Sequence, residues 1–228
     1  MKKLLSTFIL TLTLSLGAGA EVDPFEEFNR SVFEFNEVLD NEVFEPVAKG
    51  YKTNVPVFVQ NRVSDFFSNI GDVSTLANQI LQFKAEDSVI TLSRVMINTT
   101  IGLAGLFDVA ADMDLNKTKE DFGQTLAVWG VSDGPYIVLP ILGPSTLRDT
   151  AGLYVDSSAN TNFNAHLEGT DQIVATLTNA LDTRVELLPV TDLLDRADDP
   201  YIAMRSSYLQ KRENDIYDGN IPITDDDF

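Results

Sequence analysis

The chain has 228 residues, 44% of them hydrophobic, with 35 acids against 16 bases and a formal net charge of -19. A field of that sign repels nucleic-acid phosphates and anionic lipid surfaces at long range, so nucleic-acid binding and electrostatic docking on a membrane are both disfavoured. No cysteine is present, which excludes a disulfide scaffold, a thiol nucleophile and a thiolate metal site.

The opening stretch "MKKLLSTFILTLTLSLGAGA" has Lys2 and Lys3, an apolar run from Leu4 to Leu16, and Ala18 and Ala20 in A-x-A spacing. This is the pattern of an export signal, expected to be removed after Ala20. The run is shorter than the roughly 20 residues a spanning helix needs. Removing residues 1–20 takes two lysines and no acids, leaving 14 bases against 35 acids, net -21. Export without disulfides fits a bacterial envelope protein. Residues 21–228 are expected to form one helical domain with an acidic C-terminal tail from about residue 214.

Helical periodicity dominates the chain from Asp23 to Thr99. Asp23, Pro24 and Glu26 suggest a capped helix start, and Phe25, Phe28, Val32, Phe35 and Leu39 then recur at steps of three and four, the spacing of one packing face. A second helix is expected from Pro56 to Asn69, with Val59, Val63, Phe66 and Ile70 on one side and Gly71 ending it. Asp72 is expected to cap a short third helix with Val73, Leu76, Ala77 and Ile80. Ala85, Val89, Leu92, Met96 and Thr99 mark a fourth. It runs into "TIGLAGLFDVA", where Gly102 and Gly105 would each cost about 1 kcal/mol inside a helix.

From there the pattern changes. "DFGQTLAVWG" reads as a short helix or an extended piece, Ser132, Asp133 and Gly134 as a turn, and "PYIVLP" as a strand bounded by prolines. Helices resume weakly from Asp171 to Leu181, and clearly from Pro200, where Tyr201, Met204, Tyr208 and Leu209 share a face.

Catalytic chemistry is sparse. His166 is the single histidine, and no G-x-S-x-G elbow occurs. Asp112, Asp114 and Asn116 imitate half a calcium loop, but Lys117 stands where its glycine is required. No cofactor is expected, and an enzyme is the least favoured class. The distinctive feature is two charge-free stretches, Val95 to Phe107 and Gly134 to Leu147, each broken by glycine or proline. They are either buried core or a broken backbone at membrane depth, tolerated only inside protein or beside a hydrated cavity.

The stretches "DPFEEFNRSVFEFNEVLD", "PVAKGY", "INTTIGLAGLFDVA", "EDFGQTLAVWGVSDGPYIVLPILGPSTLRD", "RVELL" and "DDPYIAMRSSYLQKR" together resemble the MlaA family, also called VacJ, in order from about Asp23 to Arg212. The resemblance implies a mainly α, single-domain ring of amphipathic helices around a central channel. A short extended or hairpin element is expected near residues 128–140. It implies a place in the periplasmic leaflet of the outer membrane, association with trimeric porins, and removal of mislocalised phospholipids to a periplasmic lipid carrier. The channel or gate is expected around Phe35, Asn36, Trp129, Gly130, Gly134, Tyr136, Pro140, Arg148 and Asp149. Arg30 and Arg148 are either bidentate donors to headgroup phosphates or partners of nearby acids. Family members are commonly acylated on a cysteine. Because this sequence has none, the chain is expected not to be a lipoprotein, with a soluble periplasmic lipid-binding carrier as the alternative function.

Overall fold

The computed structural model describes residues 23–158, 169–194 and 196–222; the expected signal segment 1–20, His166 and the acidic residues 223–228 lie outside them. The first helix, α1, spans Glu26–Leu39. Asp23 does not cap it. Its carboxylate is buried, accepting from Asn29 Nδ2 at 2.8 Å, from Tyr201 Oη and from Arg205 Nη1 at 3.2 Å, so it ties the start of the domain to its last helix. A π-helical turn, Asp40–Phe44, carries the chain into α2, Glu45–Asn54. That helix stops at Val55, held in extended backbone by the following Pro56.

The expected second and third helices are one continuous helix, α3, Val57–Leu81. Gly71 does not end it, and a Cβ at that position would meet no neighbour, so packing along 25 residues overrides the glycine penalty of about 1 kcal/mol. Asp72 is therefore not a cap but a buried mid-helix acid. A tight turn leads to α4, Ala85–Thr100, which lies along α3. The glycine-broken segment then turns through a loop to α5, Val109–Asp112, capped by Asp108.

"DFGQTLAV" folds as a helix, α6, Phe122–Val128, started by a reciprocal capping box between Asp121 and Gln124. The strand expected in "PYIVLP" forms and opens a hairpin whose second strand lies past residue 140. Strands β1, Tyr136–Leu139, and β2, Gly143–Thr146, pair antiparallel with Tyr136 opposite Thr146. Helices α7, Leu147–Ser158, α8, Thr170–Leu194, and α9, Pro200–Ile216, complete the chain. The α8 helix is far longer than its weak periodicity suggests and contains Pro189, and Asp199 caps α9 at Ile202 N.

The packing order closes on itself. The chain passes from α1 through the π turn to α2; α2 packs on α8, α8 on α3, α3 on α6, α6 on α7, α7 on β2, and β1 returns to α1. The α9 helix packs against α6, α8 and β2. The α6 and α7 helices approach closely: a Cβ on Gly152 would lie 2.7 Å from Gly123 Cα, so only glycine fits there.

Side-chain polarity is inverted relative to a water-soluble globule. Among the described residues eighteen polar or charged side chains are buried against six apolar ones. Of the packing face expected on α1, Phe28 and Phe35 are about half exposed while Val32 packs against the aromatic core, and the buried residue of that helix is Asn29. Ile101 and Leu103 after α4, and Ile141 and Leu142 at the hairpin tip, are likewise exposed. Of the second charge-free stretch, Tyr136 and Val138 enter a small aromatic core with Tyr201. No described helix is long and apolar enough to cross a membrane.

Candidate functional site

A polar stripe runs along α3. Asn69, Asp72, Thr75, Asn78, Gln79 and Gln82 share its buried face at helical spacing. Each meets a polar partner from a neighbouring element. Arg94 of α4 donates to Asp72 Oδ2 at 3.3 Å and to Asp108 Oδ2 at 2.8 Å, and Asp108 also accepts from Asn98 at 2.8 Å. Gln79 donates to Thr118 at 2.7 Å, Gln82 to Glu120 at 2.9 Å, and Thr125 of α6 to Asn78 at 2.8 Å. Each of these side chains makes at least one hydrogen bond, which offsets part of the cost of burial, while Asn69 Oδ1, Gln79 Oε1 and Gln82 Oε1 have no protein partner among the described residues.

Beside this stripe lies a cleft of about 760 Å³ walled by α3, the 117–121 segment, α6, α8 and α9. Thr75 and Gln124 form part of its floor, Lys117, Lys119 and Arg212 one charged wall, and Asp182 and Glu186 of α8 another. Lys117 is held against Asp72 and donates to Ser68 O at 2.8 Å; burial lowers its pKa more than Asp72 restores it. Burial likewise raises Glu120 above the ordinary carboxylate value, more than the hydrogen bond from Lys84 at 2.6 Å lowers it. Asp182 is also raised, first by burial and then by the charge of Glu186 one turn along.

At the junction of α6, α7 and α9 sits Asp149. It accepts from Arg148 Nη2 at 2.9 Å, from Arg212 Nη2 at 2.8 Å and from Tyr208 Oη at 2.7 Å, while Arg212 also forks onto Asp121 at 2.6 and 2.7 Å. Burial pushes the Asp149 carboxyl up, but the hydrogen bond and charge of Arg212, with Tyr208 and Arg148, outweigh it and hold the group below its usual range. Tyr208 is raised in turn, by burial first and then by Asp149.

The structure places the nine sequence-derived residues around the hairpin and its flanks, not in the lining of the cleft. Phe35 is exposed on α1, and Asn36 beside it donates to Leu139 O at 2.9 Å and accepts from Ile141 N at 2.7 Å. Trp129 is half exposed, donating from Nε1 to Leu81 O at 3.1 Å and meeting Phe122 edge-on. Gly130 and Gly134 occupy left-handed backbone, Pro140 lies at the hairpin turn, and Tyr136 is core. Arg148 is buried in ion pairs with Asp149 and Asp133, and Arg30 forks onto Asp199 at 2.9 and 3.3 Å while pairing with Glu26. Sequence reasoning misses the cleft residues Asp182, Glu186, Lys119 and Thr75. The signal that could find the cleft is the recurrence of amides and hydroxyls along α3, a stripe with helical period that an apolar count passes over.

A closed circuit of helices with amides and charges turned inward and phenylalanines and leucines outward defines a helical protein with a polar interior and an apolar exterior. A family model described as MlaA lipoprotein matches residues 21–215, and the chain belongs to that family. It is 33% identical over 234 residues to the intermembrane phospholipid transport system lipoprotein MlaA of Escherichia coli K12, covering 93% of this chain and 88% of that one. The Haemophilus influenzae protein of the same name is 33% identical over 202 residues, 87% of this chain and 81% of its own. An uncharacterized Rickettsia prowazekii protein is 36% identical over 195 residues, 85% and 78% of the two chains. A solved chain, from work on the structural basis for maintenance of bacterial outer membrane lipid asymmetry, superposes with a TM-score of 0.75 at 33% identity over 85% of this chain and 98% of its own.

These relatives correct one expectation. The missing cysteine suggests a chain set apart as a non-lipoprotein, yet the family to which it belongs is described as a lipoprotein family and its named relatives are lipoproteins. Absence of an acylation residue from the 228 residues is no ground for that separation.

Proposed function

We propose that the chain acts in intermembrane phospholipid transport: it removes mislocalised phospholipids from the outer leaflet of the outer membrane and passes them to a periplasmic lipid carrier, which maintains lipid asymmetry. The observation that carries this reading is the inverted polarity, a buried stripe of amides and charges beside a 760 Å³ cleft in a molecule whose large apolar side chains face outward. Moving a charged headgroup through hydrocarbon is very costly, whereas fixed hydrogen-bonding groups replace its hydration shell. Acyl chains meanwhile stay against apolar surface. Nothing in such a passage breaks a covalent bond, so the chain is a transport component and not an enzyme. Trimeric porins and the carrier are its proposed protein partners.

The soluble-carrier alternative is disfavoured by the outward phenylalanines, since contiguous exposed apolar surface marks a site that meets lipid or protein. The test is genetic and chemical together. Cells lacking the chain are expected to accumulate phospholipid in the outer leaflet, measured by surface-accessible labelling, and the wild-type chain is expected to reverse it. Unaltered surface phospholipid in the deletion would refute the reading.

A further inference from the structure

The cleft has an acidic wall on α8 and a wall of mixed charge built from the 117–121 segment and α9. Asp182 and Glu186 stand one turn apart on α8, and neither forms an ion pair among the described residues; Glu186 accepts from Ser64 Oγ at 3.3 Å. Arg184, between them in sequence, is taken by Asp40 of the π turn at 2.6 Å, and Arg62 on the facing helix is taken by Asp65 at 2.5 Å. The acids are thus left without a cation among the described residues while lining a cavity. On the other wall Lys119 is exposed and has no acid partner among the described residues, and Lys211 of α9 is held only by an exposed i,i+4 pair with Asp215. Such a pair exchanges easily for another anion. Lys117 is fixed by Asp72 and Arg212 by Asp121 and Asp149, and Glu120 and Asp215 stand on the same wall, so Lys119 is the cation this wall offers without an acid partner among the described residues.

A ligand that satisfies both walls carries an anion and a cation a few atoms apart. We propose that the cleft selects phospholipids with a zwitterionic headgroup, turning the phosphate toward Lys119 and Lys211 and the ammonium toward Asp182 and Glu186. The inference rests on the transport reading above and adds the substrate class. Two further facts point the same way. The Asp182 carboxyl is raised by burial first and then by the neighbouring charge of Glu186, and an ammonium beside the two acids would offset both. The net charge of -19 also disfavours lipids with a net negative headgroup, such as phosphatidylglycerol.

The test uses the purified full chain. It is incubated with vesicles of phosphatidylethanolamine and phosphatidylglycerol in equal amounts and re-isolated, and its bound lipid is quantified by mass spectrometry. The wild type is expected to hold phosphatidylethanolamine in roughly threefold excess, the scale of one partly exposed ion pair. Asp182→Asn with Glu186→Gln is expected to lower bound phosphatidylethanolamine to the level of phosphatidylglycerol, returning the ratio to that of the vesicles. Lys119→Gln is expected to lower both lipids together. Equal recovery by the wild type, or an excess that survives the double substitution, overturns the selectivity. Recovery of no lipid of either kind refutes the transport reading and this inference with it. Free phosphoethanolamine at the same headgroup concentration is expected to leave the excess intact; if it abolishes the excess, the cleft reads a soluble zwitterion and the proposal fails.

Discussion

Asn29 and Asn36, two turns apart on α1, grip the same edge of the hairpin. Asn29 donates to Tyr136 O at 3.1 Å and accepts from Val138 N at 2.8 Å, and Asn36 does the same for Leu139 O and Ile141 N at 2.9 and 2.7 Å. Two side-chain amides stand in for a third strand. Asn36→Ala is expected to destabilise the fold by about 1–2 kcal/mol, because it leaves a donor and an acceptor unpaired. Hydrogen exchange is the check: the Ile141 amide is expected to exchange faster while the Val138 amide, still held by Asn29, does not. Equal acceleration of both would show that the two asparagines act as one unit.

Asp149 collects two arginines and a tyrosine in a buried site, and breaking such a cluster from one side is expensive. Asp149→Asn is expected to cost about 3 kcal/mol at neutral pH. The sign of its pH dependence is set by the depressed carboxyl. A folded-state pKa below the unfolded one contributes stability that is present above the ordinary value of about 4 and lost as pH falls through the folded value. Urea unfolding in detergent at pH 7 and pH 3 is therefore expected to show a large gap between wild type and variant at the higher pH and a smaller one at the lower. A gap that widens in acid would contradict the assignment.

Asp182 predicts the opposite. Its pKa is raised, chiefly by burial and then by Glu186, so its charged form is penalised in the folded chain and stability falls as pH rises from the ordinary carboxylate value through the folded one. Asp182→Asn is expected to raise the melting temperature at pH 7, by less than about 1 kcal/mol of stability because the group is partly solvated, and to have no effect below about pH 4. A lower melting temperature at pH 7 would mean that the carboxylate has a stabilising partner.

Gly152→Ala is expected to be severe, since the added methyl would press on the Gly123 backbone and push α6 from α7. Overpacking of this kind costs about 1–3 kcal/mol. Thermal unfolding measures it. Gly71→Ala, on open helix surface, serves as the contrast and is expected to stabilise by about 1 kcal/mol.

Phe28→Ser with Phe35→Ser probes the outward face. Both rings are about half exposed, so the fold is expected to keep its stability within about 0.5 kcal/mol. Each ring transferred into lipid contributes about 1 kcal/mol or more. Sedimentation with neutral vesicles is expected to show binding weakened at least tenfold. Unchanged binding would remove this face from membrane contact.

The helices were legible wherever an apolar residue recurred at helical spacing, and so was the strand in "PYIVLP" between its two prolines. What periodicity could not give was the direction in which a stripe faces. Phe25, Phe28 and Phe35 mark a helix equally well whether they meet a core or a membrane, and in this chain they are exposed. Gly71 and Asp72 read as stop and start because local propensity is all a short window contains, whereas long-range pairing of Asp72 with Arg94 and Lys117 decides the outcome. The family motifs led to the hairpin, but the cleft is assembled from α3, α8 and α9, segments far apart in sequence, of which α8 has almost no amphipathic signature.

Inverted polarity also has a calorimetric consequence. Exposing apolar surface raises the heat capacity of the unfolded state and exposing polar surface lowers it. In this fold the apolar side chains are largely outside already, and unfolding uncovers Asn69, Asp72, Arg94, Gln124 and their partners instead. For the chain in water the heat-capacity increment per residue is therefore expected to be small and the stability curve broad and flat, whereas in lipid, where the apolar exterior is not hydrated, the increment is expected to be larger.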